Sequence, residues 1–202
     1  MANTKISALT SATTPLAGTE TLPVVQSGAT KQVSVANLTA GRTQTSNGIV
    51  QGTAATGYNF TANTPAAGMT SQLLNWYEEG TWSAVISDGT NNATMTNTIC
   101  RYTRVGRQVF LNGRITTSSL GSVSGGLQIK GLPFATTAFS SATFGYGSNF
   151  LLTPGQSVGG YVASSGSVIY LSVWSAATGI TAMTSTQWTA TGDLVIGFSY
   201  TI

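Results

Sequence analysis

The last ten residues, DLVIGFSYTI (193–202), put Leu194, Ile196, Phe198, Tyr200 and Ile202 at every second position. A period of two belongs to a strand, whose alternate side chains point to opposite faces, so this run must lay an apolar face against another layer. The alternation recurs upstream. TWSAVIS (81–87) sets Trp82, Ala84 and Ile86 on one side, and SVIYLSVWS (167–175) sets Ile169, Leu171 and Val173 against Tyr170 and Trp174. Between such runs stand Asp88-Gly89, Val105-Gly106 and Ser164–Gly166, the residue types that close turns. Ser and Thr supply 57 of the 202 residues and Gly another 24, while charged residues are only 6%. Strand and turn formers have replaced the quarter or so of charge usual in a soluble domain. The expected class is all-β, an antiparallel jelly-roll-like β-sandwich of about eight or nine strands, with no crossover helices.

The same residue counts exclude several functions. With no His and a single Cys100, disulfide frameworks, zinc sites and His-dependent catalysis are not expected, and neither is any cofactor or metal. A net charge of +3 is too small to argue for nucleic acid. No stretch approaches the roughly 20 apolar residues of a membrane span, and MANTKISALTSATTPLAG lacks the apolar core of a signal peptide. The expected product is made in a cytoplasm and engages no membrane. Low charge on a chain with many strand edges also suits life in a permanent assembly.

Three regions separate by pattern. Residues 1–40 read as an attachment arm, with TLPVVQ and KQVSVANL forming a hairpin through a Ser27–Thr30 loop that sets Val24 against Val33. A lone hairpin is marginal in water, so the apolar residues Ile6, Leu9, Leu22, Val24, Val25, Val33, Val35 and Leu38 need a surface to cover. Residues 41–74 read as a Gly-, Ala-, Thr- and Asn-rich linker with a short strand at 57–61. Residues 75–202 form the β-sandwich.

NWYEEGTW (75–82) opens that domain with Glu78 and Glu79 side by side among Trp76, Tyr77 and Trp82. A glycosidase needs two carboxylates reaching one bond, and neighbours on an extended chain point to opposite faces. The motif therefore reads as a plug: carboxylates accept hydrogen bonds at the strand entrance or pair with arginines, and Trp76 and Trp82 close the sandwich end. No enzyme activity is expected. Arg101, Arg104, Arg107 and Arg114 crowd into fourteen residues, but parity puts Arg101 and Arg104 on opposite faces and Arg107 near a turn. This suits pairing with Glu78 and Glu79 across subunits better than a nucleic-acid groove. Tyr170 and Trp174 share one strand face; if it lies outside the core it marks contact with another subunit or a ligand.

Two stretches carry a family resemblance. KISALTSATTPLAGTETLPVVQSGATKQVSVANL resembles an arm at the start of many tailed-phage virion proteins. LLNWYEEGTW, followed by CRYTRVGRQVFLNGRI and GLPF, is similar to a β domain of phage structural proteins. The resemblance covers roughly half the chain and implies a virion structural protein. The first expectation is a capsid decoration protein (cement or head-fibre type) on the capsid surface: a homotrimer bound to the major capsid protein through its arm. The alternative is a tail fibre or tail adaptor whose β domain binds host polysaccharide. A depolymerase ranks behind both.

Overall fold

A computed structural model of the chain describes residues 19, 21–34, 57–60 and 62–202. The chain divides into two compact units, Met1–Val50 and Gln51–Ile202.

In the first unit, β1 (Thr21–Gln26) and β2 (Ala29–Ser34) form an antiparallel hairpin. Its loop is shorter than expected. Ser27 (φ 54°) and Gly28 (φ 76°) both lie in the left-handed region, which makes a two-residue turn whose twist matches that of the flanking strands. The tighter turn sets the register: Leu22 opposes Val33, and Val24 opposes Lys31 rather than Val33. Leu22, Val24 and Val33 still share one face, while Val25 stands on the other and is 77% exposed. Ile6, Leu9, Val35 and Leu38 lie outside the described residues.

The second unit is all-β. A small ladder joins β3 (Tyr58–Asn59) to β4 (Leu73–Leu74), which puts a strand where the sequence indicated one. Eleven strands follow: β5 (Tyr77–Thr81), β6 (Val85–Ser87), β7 (Thr94–Val105), β8 (Gln108–Ser119), β9 (Gln128–Lys130), β10 (Ser140–Ala142), β11 (Tyr146–Phe150), β12 (Gln156–Val162), β13 (Val168–Ser175), β14 (Gly179–Ala182) and β15 (Trp188–Thr201). A five-stranded sheet runs β11-β15-β8-β7-β5, and a six-stranded one runs β10-β12-β13-β9-β6 with β14 on β13. All pairings are antiparallel. One edge of β13 is shared, Val168–Tyr170 pairing with β9 and Ser172–Ser175 with β14.

The sheets meet over one core. Val109, Leu111, Ile115, Leu194, Ile196 and Tyr200 face Ile86, Ile129, Val162, Ile169, Leu171 and Val173. Ile86, Leu194, Ile196 and Tyr200 lie on the face their alternation assigns, and in 167–175 the Ile169, Leu171 and Val173 face is the buried one. The sandwich is therefore as expected, and the pairing orders do not single out a jelly-roll winding. Cys100 is buried against Gly113, where an added Cβ would sit 2.5 Å from Sγ. Burial pushes the Cys100 thiol up to about 11 and the Tyr200 phenol up to about 12.

Candidate functional site

Burial on the inner faces decides what is left outside, and the two outer faces carry the surfaces available to a partner. On the five-stranded sheet the outward row on β7 is Ile99, Arg101, Thr103 and Val105, and on β8 it is Gln108, Phe110, Asn112, Arg114 and Thr116. β15 adds Val195 beside Arg114, and β5 adds Tyr77, Glu79 and Thr81. Ile99 is 63% exposed and Phe110 50%, and Tyr77, Val105, Tyr146 and Val195 are exposed with them. This is an unusual concentration of apolar side chains on a solvent-facing surface.

Beneath it, Asp193 is buried and accepts from Arg114 Nε at 3.0 Å and Nη2 at 2.6 Å, and from Thr116 Oγ1 at 2.9 Å. The Arg114 hydrogen bonds hold the Asp193 carboxyl below its ordinary range. Among the described residues this is the ion pair the chain makes. It joins Arg114 to a carboxylate the sequence did not nominate as its partner.

Glu78 stands opposite Arg104 in register, but its Oε2 accepts from the Trp76 indole N–H at 3.1 Å. Arg104 instead lies over the Trp76 ring at 4.5 Å and the Phe134 ring at 5.3 Å, and donates through Nε to the Gly106 carbonyl at 2.9 Å. Glu79 accepts from the Tyr77 hydroxyl, which raises the Tyr77 phenol. The two carboxylates thus take hydrogen bonds at the strand entrance and, among the described residues, pair with no arginine. Trp82 is a core residue, whereas Trp76 stays exposed as one wall of the Arg104 site, so only one of the two tryptophans plugs the sandwich. Arg107 sits in the β7–β8 turn and is exposed.

On the six-stranded sheet Ile169, Leu171 and Val173 are buried, which leaves Tyr170 (39% exposed) and Trp174 (50% exposed) outside. The interface candidates therefore divide between two different faces. Tyr170 pairs across the strands with Tyr161, and their rings stack at 5.2 Å; Phe139 stacks on Tyr161 at 5.1 Å. Trp174 pairs with Ile180 of β14, a strand absent from the sequence reading. Between these rows lies a row of small residues, Gly159, Ser172 and Ala182. Beside this row lies a groove of about 450 Å³ lined by Asp88, Gln128, Tyr161, Tyr170, Ser172 and Ile180. The Asp88 carboxylate accepts from the backbone N–H of Thr90, Asn91 and Ser124 at 2.8, 2.7 and 2.9 Å, which holds it far below the usual range. Gln128, Ser172 and Ile180 were not anticipated. Their signal would have been the register of β13 with its neighbours, which alternation within one strand does not contain.

A two-sheet antiparallel sandwich with two dissimilar outer faces is the class this geometry defines. No protein-family model and no curated protein matches the sequence. Among solved structures the fold is similar to that of the Dettilon tailspike protein, with a TM-score of 0.55 at 14% identity, over 62% of this chain and 24% of that one. The matched region is thus about a quarter of the tailspike's length.

Proposed function

We propose that this chain is a structural protein of a tailed-bacteriophage virion, a trimeric β-sandwich module of the tail apparatus. The observation that carries the reading is the fold likeness to a tailspike over 62% of the chain, together with the phage-type motifs at 5–38 and 73–134. The exposed Ile99, Phe110 and Val195, which stand among Thr103, Asn112 and Arg114 on one face, supply the trimer contact. A stable trimer would have to bury roughly 800 Å² of this face per side, the size of a standard specific interface. Glu79 and Arg101 stand one diagonal apart on that face, so rotation about a three-fold axis brings the acid of one copy toward the base of the next. The work of the module is mechanical and adhesive, with no chemistry assigned to its carboxylates.

Capsid decoration is the second reading, and the hairpin favours it. Val25 is exposed on one face of a two-stranded ribbon too small to hold a core, a form suited to adding strands to another protein. Three such arms on one trimer would bind as a unit. Gold-labelled antibody on intact virions separates the two. Label on tails supports the first reading, and label over the head surface transfers the protein to the second. Label on neither sinks both.

A further inference from the structure

We propose that the groove on the outer face of the six-stranded sheet is a binding site for a neutral, linear oligosaccharide. The groove lies where β13 leaves β9 and takes up β14, with Gln128 of β9 on one side and Ile180 and Ala182 of β14 on the other. Tyr161 and Tyr170 form its aromatic wall, and Ser172 lies between them and β14. A cavity of about 450 Å³ falls within the roughly 300–1,000 Å³ typical of small-ligand sites.

What lines the groove selects the ligand. The Phe139–Tyr161–Tyr170 stack is a preformed wall that loses little rotamer freedom on binding. Ser172 is only 8% exposed, yet its hydroxyl has no hydrogen-bond partner within the described protein, and it lines the groove floor. The Tyr161 and Tyr170 hydroxyls and the Gln128 amide are likewise without partners there. An apolar protein surface laid on the groove would strand these groups, at a cost for each. A polyhydroxylated ligand satisfies them while its C–H faces pack on the rings. Charge narrows the class further. The Asp88 carboxylate is consumed by its loop, and Lys130 Nζ donates to the Gly89 carbonyl at 2.9 Å. Among the described residues no cation lines the groove to hold an anionic sugar, which favours a neutral ligand.

The site rests on side-chain geometry alone and holds whether the module sits on head or tail, so the virion imaging and the following test fail independently. Full-length protein is passed over an array of neutral hexose and N-acetylhexosamine oligosaccharides, with sulfated and sialylated ones alongside. Binding to neutral linear members is expected, weakened about tenfold or more by Tyr170→Ala and by Ile180→Ala. Both side chains are exposed, so melting temperature and oligomeric mass should stay at wild-type values. No binding anywhere on the array overturns the proposal, as does preference for the anionic members or undiminished binding by both variants. Loss of oligomeric mass in either variant overturns it too, by making the groove a protein contact.

Discussion

The two sheets press on one core and turn different chemistry outward. The five-stranded sheet exposes Ile99, Phe110, Val105 and Val195, whose contacts need only a matching apolar surface. The six-stranded sheet exposes stacked tyrosines above a floor of small residues, with hydroxyls and an amide left unpaired. The first suits another protein surface and the second a polar ligand. Inward faces of a sandwich are interchangeable in kind. The outward faces are where function separates, and substitutions confined to one face should leave the other untouched.

The largest expected effect is on the five-stranded face. Phe110→Asp places a charge at the centre of the proposed trimer contact, and self-association should weaken by about 100-fold or more. Light scattering at micromolar concentration should report a monomer, with circular dichroism and per-chain oligosaccharide binding unchanged. A trimer that survives the substitution would move the assembly surface elsewhere.

Next comes a change that ignores the distinction between faces. Gly113→Ala drives a methyl to 2.5 Å from Cys100 Sγ inside the five-stranded sheet, and overpacking of this kind costs about 1–3 kcal/mol. Denaturant midpoint should fall while both surfaces keep their binding. Selective loss of one binding activity would mean that the faces are not supported by a common core.

A smaller effect depends on acid. Asp193 under the five-stranded face and Asp88 beside the groove both have carboxyls held below their unfolded values by donors. The sign follows: their stabilisation is fully present above the unfolded value of about 4 and is lost as pH falls toward the folded ones. Melting temperature should be level from neutral to about pH 5 and decline below about pH 4. Asp193→Asn should flatten part of that decline; an unchanged acid profile would remove the Arg114 pair from the account of stability.

Much of this molecule was legible in the chain. Alternation in 193–202 and 81–87 assigned the inward faces because burial acts on each strand separately and leaves a period of two; in 167–175 it separated two faces without saying which is buried. The short strands were less visible: β10 (Ser140–Ala142) has three residues and β14 (Gly179–Ala182) four, too few for a period of two to stand out. The site was half legible. Tyr170 and Trp174 were identifiable as one face, but Ser172, Gln128 and Ile180 join them through pairing between strands distant in sequence. For Glu78 the sequence left open whether the carboxylate takes hydrogen bonds at the strand entrance or pairs with an arginine, and within the chain it accepts from the Trp76 indole two residues away.

The finest test removes one atom. Tyr170→Phe keeps the ring that stacks on Tyr161 and deletes a hydroxyl with no partner in the described protein. Nothing in the folded chain loses a hydrogen bond, so stability should shift by less than about 0.5 kcal/mol, and trimer mass should not change. A sugar that accepts or donates at that hydroxyl loses one neutral hydrogen bond, about 1 kcal/mol or roughly fivefold in affinity. The reciprocal substitution, Phe110→Tyr, adds a hydroxyl to the apolar face. It should weaken self-association modestly, because the added group must be desolvated at a surface with no partner for it. Isothermal titration with an array-selected oligosaccharide, run beside sedimentation of both variants, reads the two effects on separate instruments. If Tyr170→Phe binds as tightly as wild type while Tyr170→Ala does not, the groove is a stacking site alone. The contrast between the faces would then be one of shape rather than of polarity.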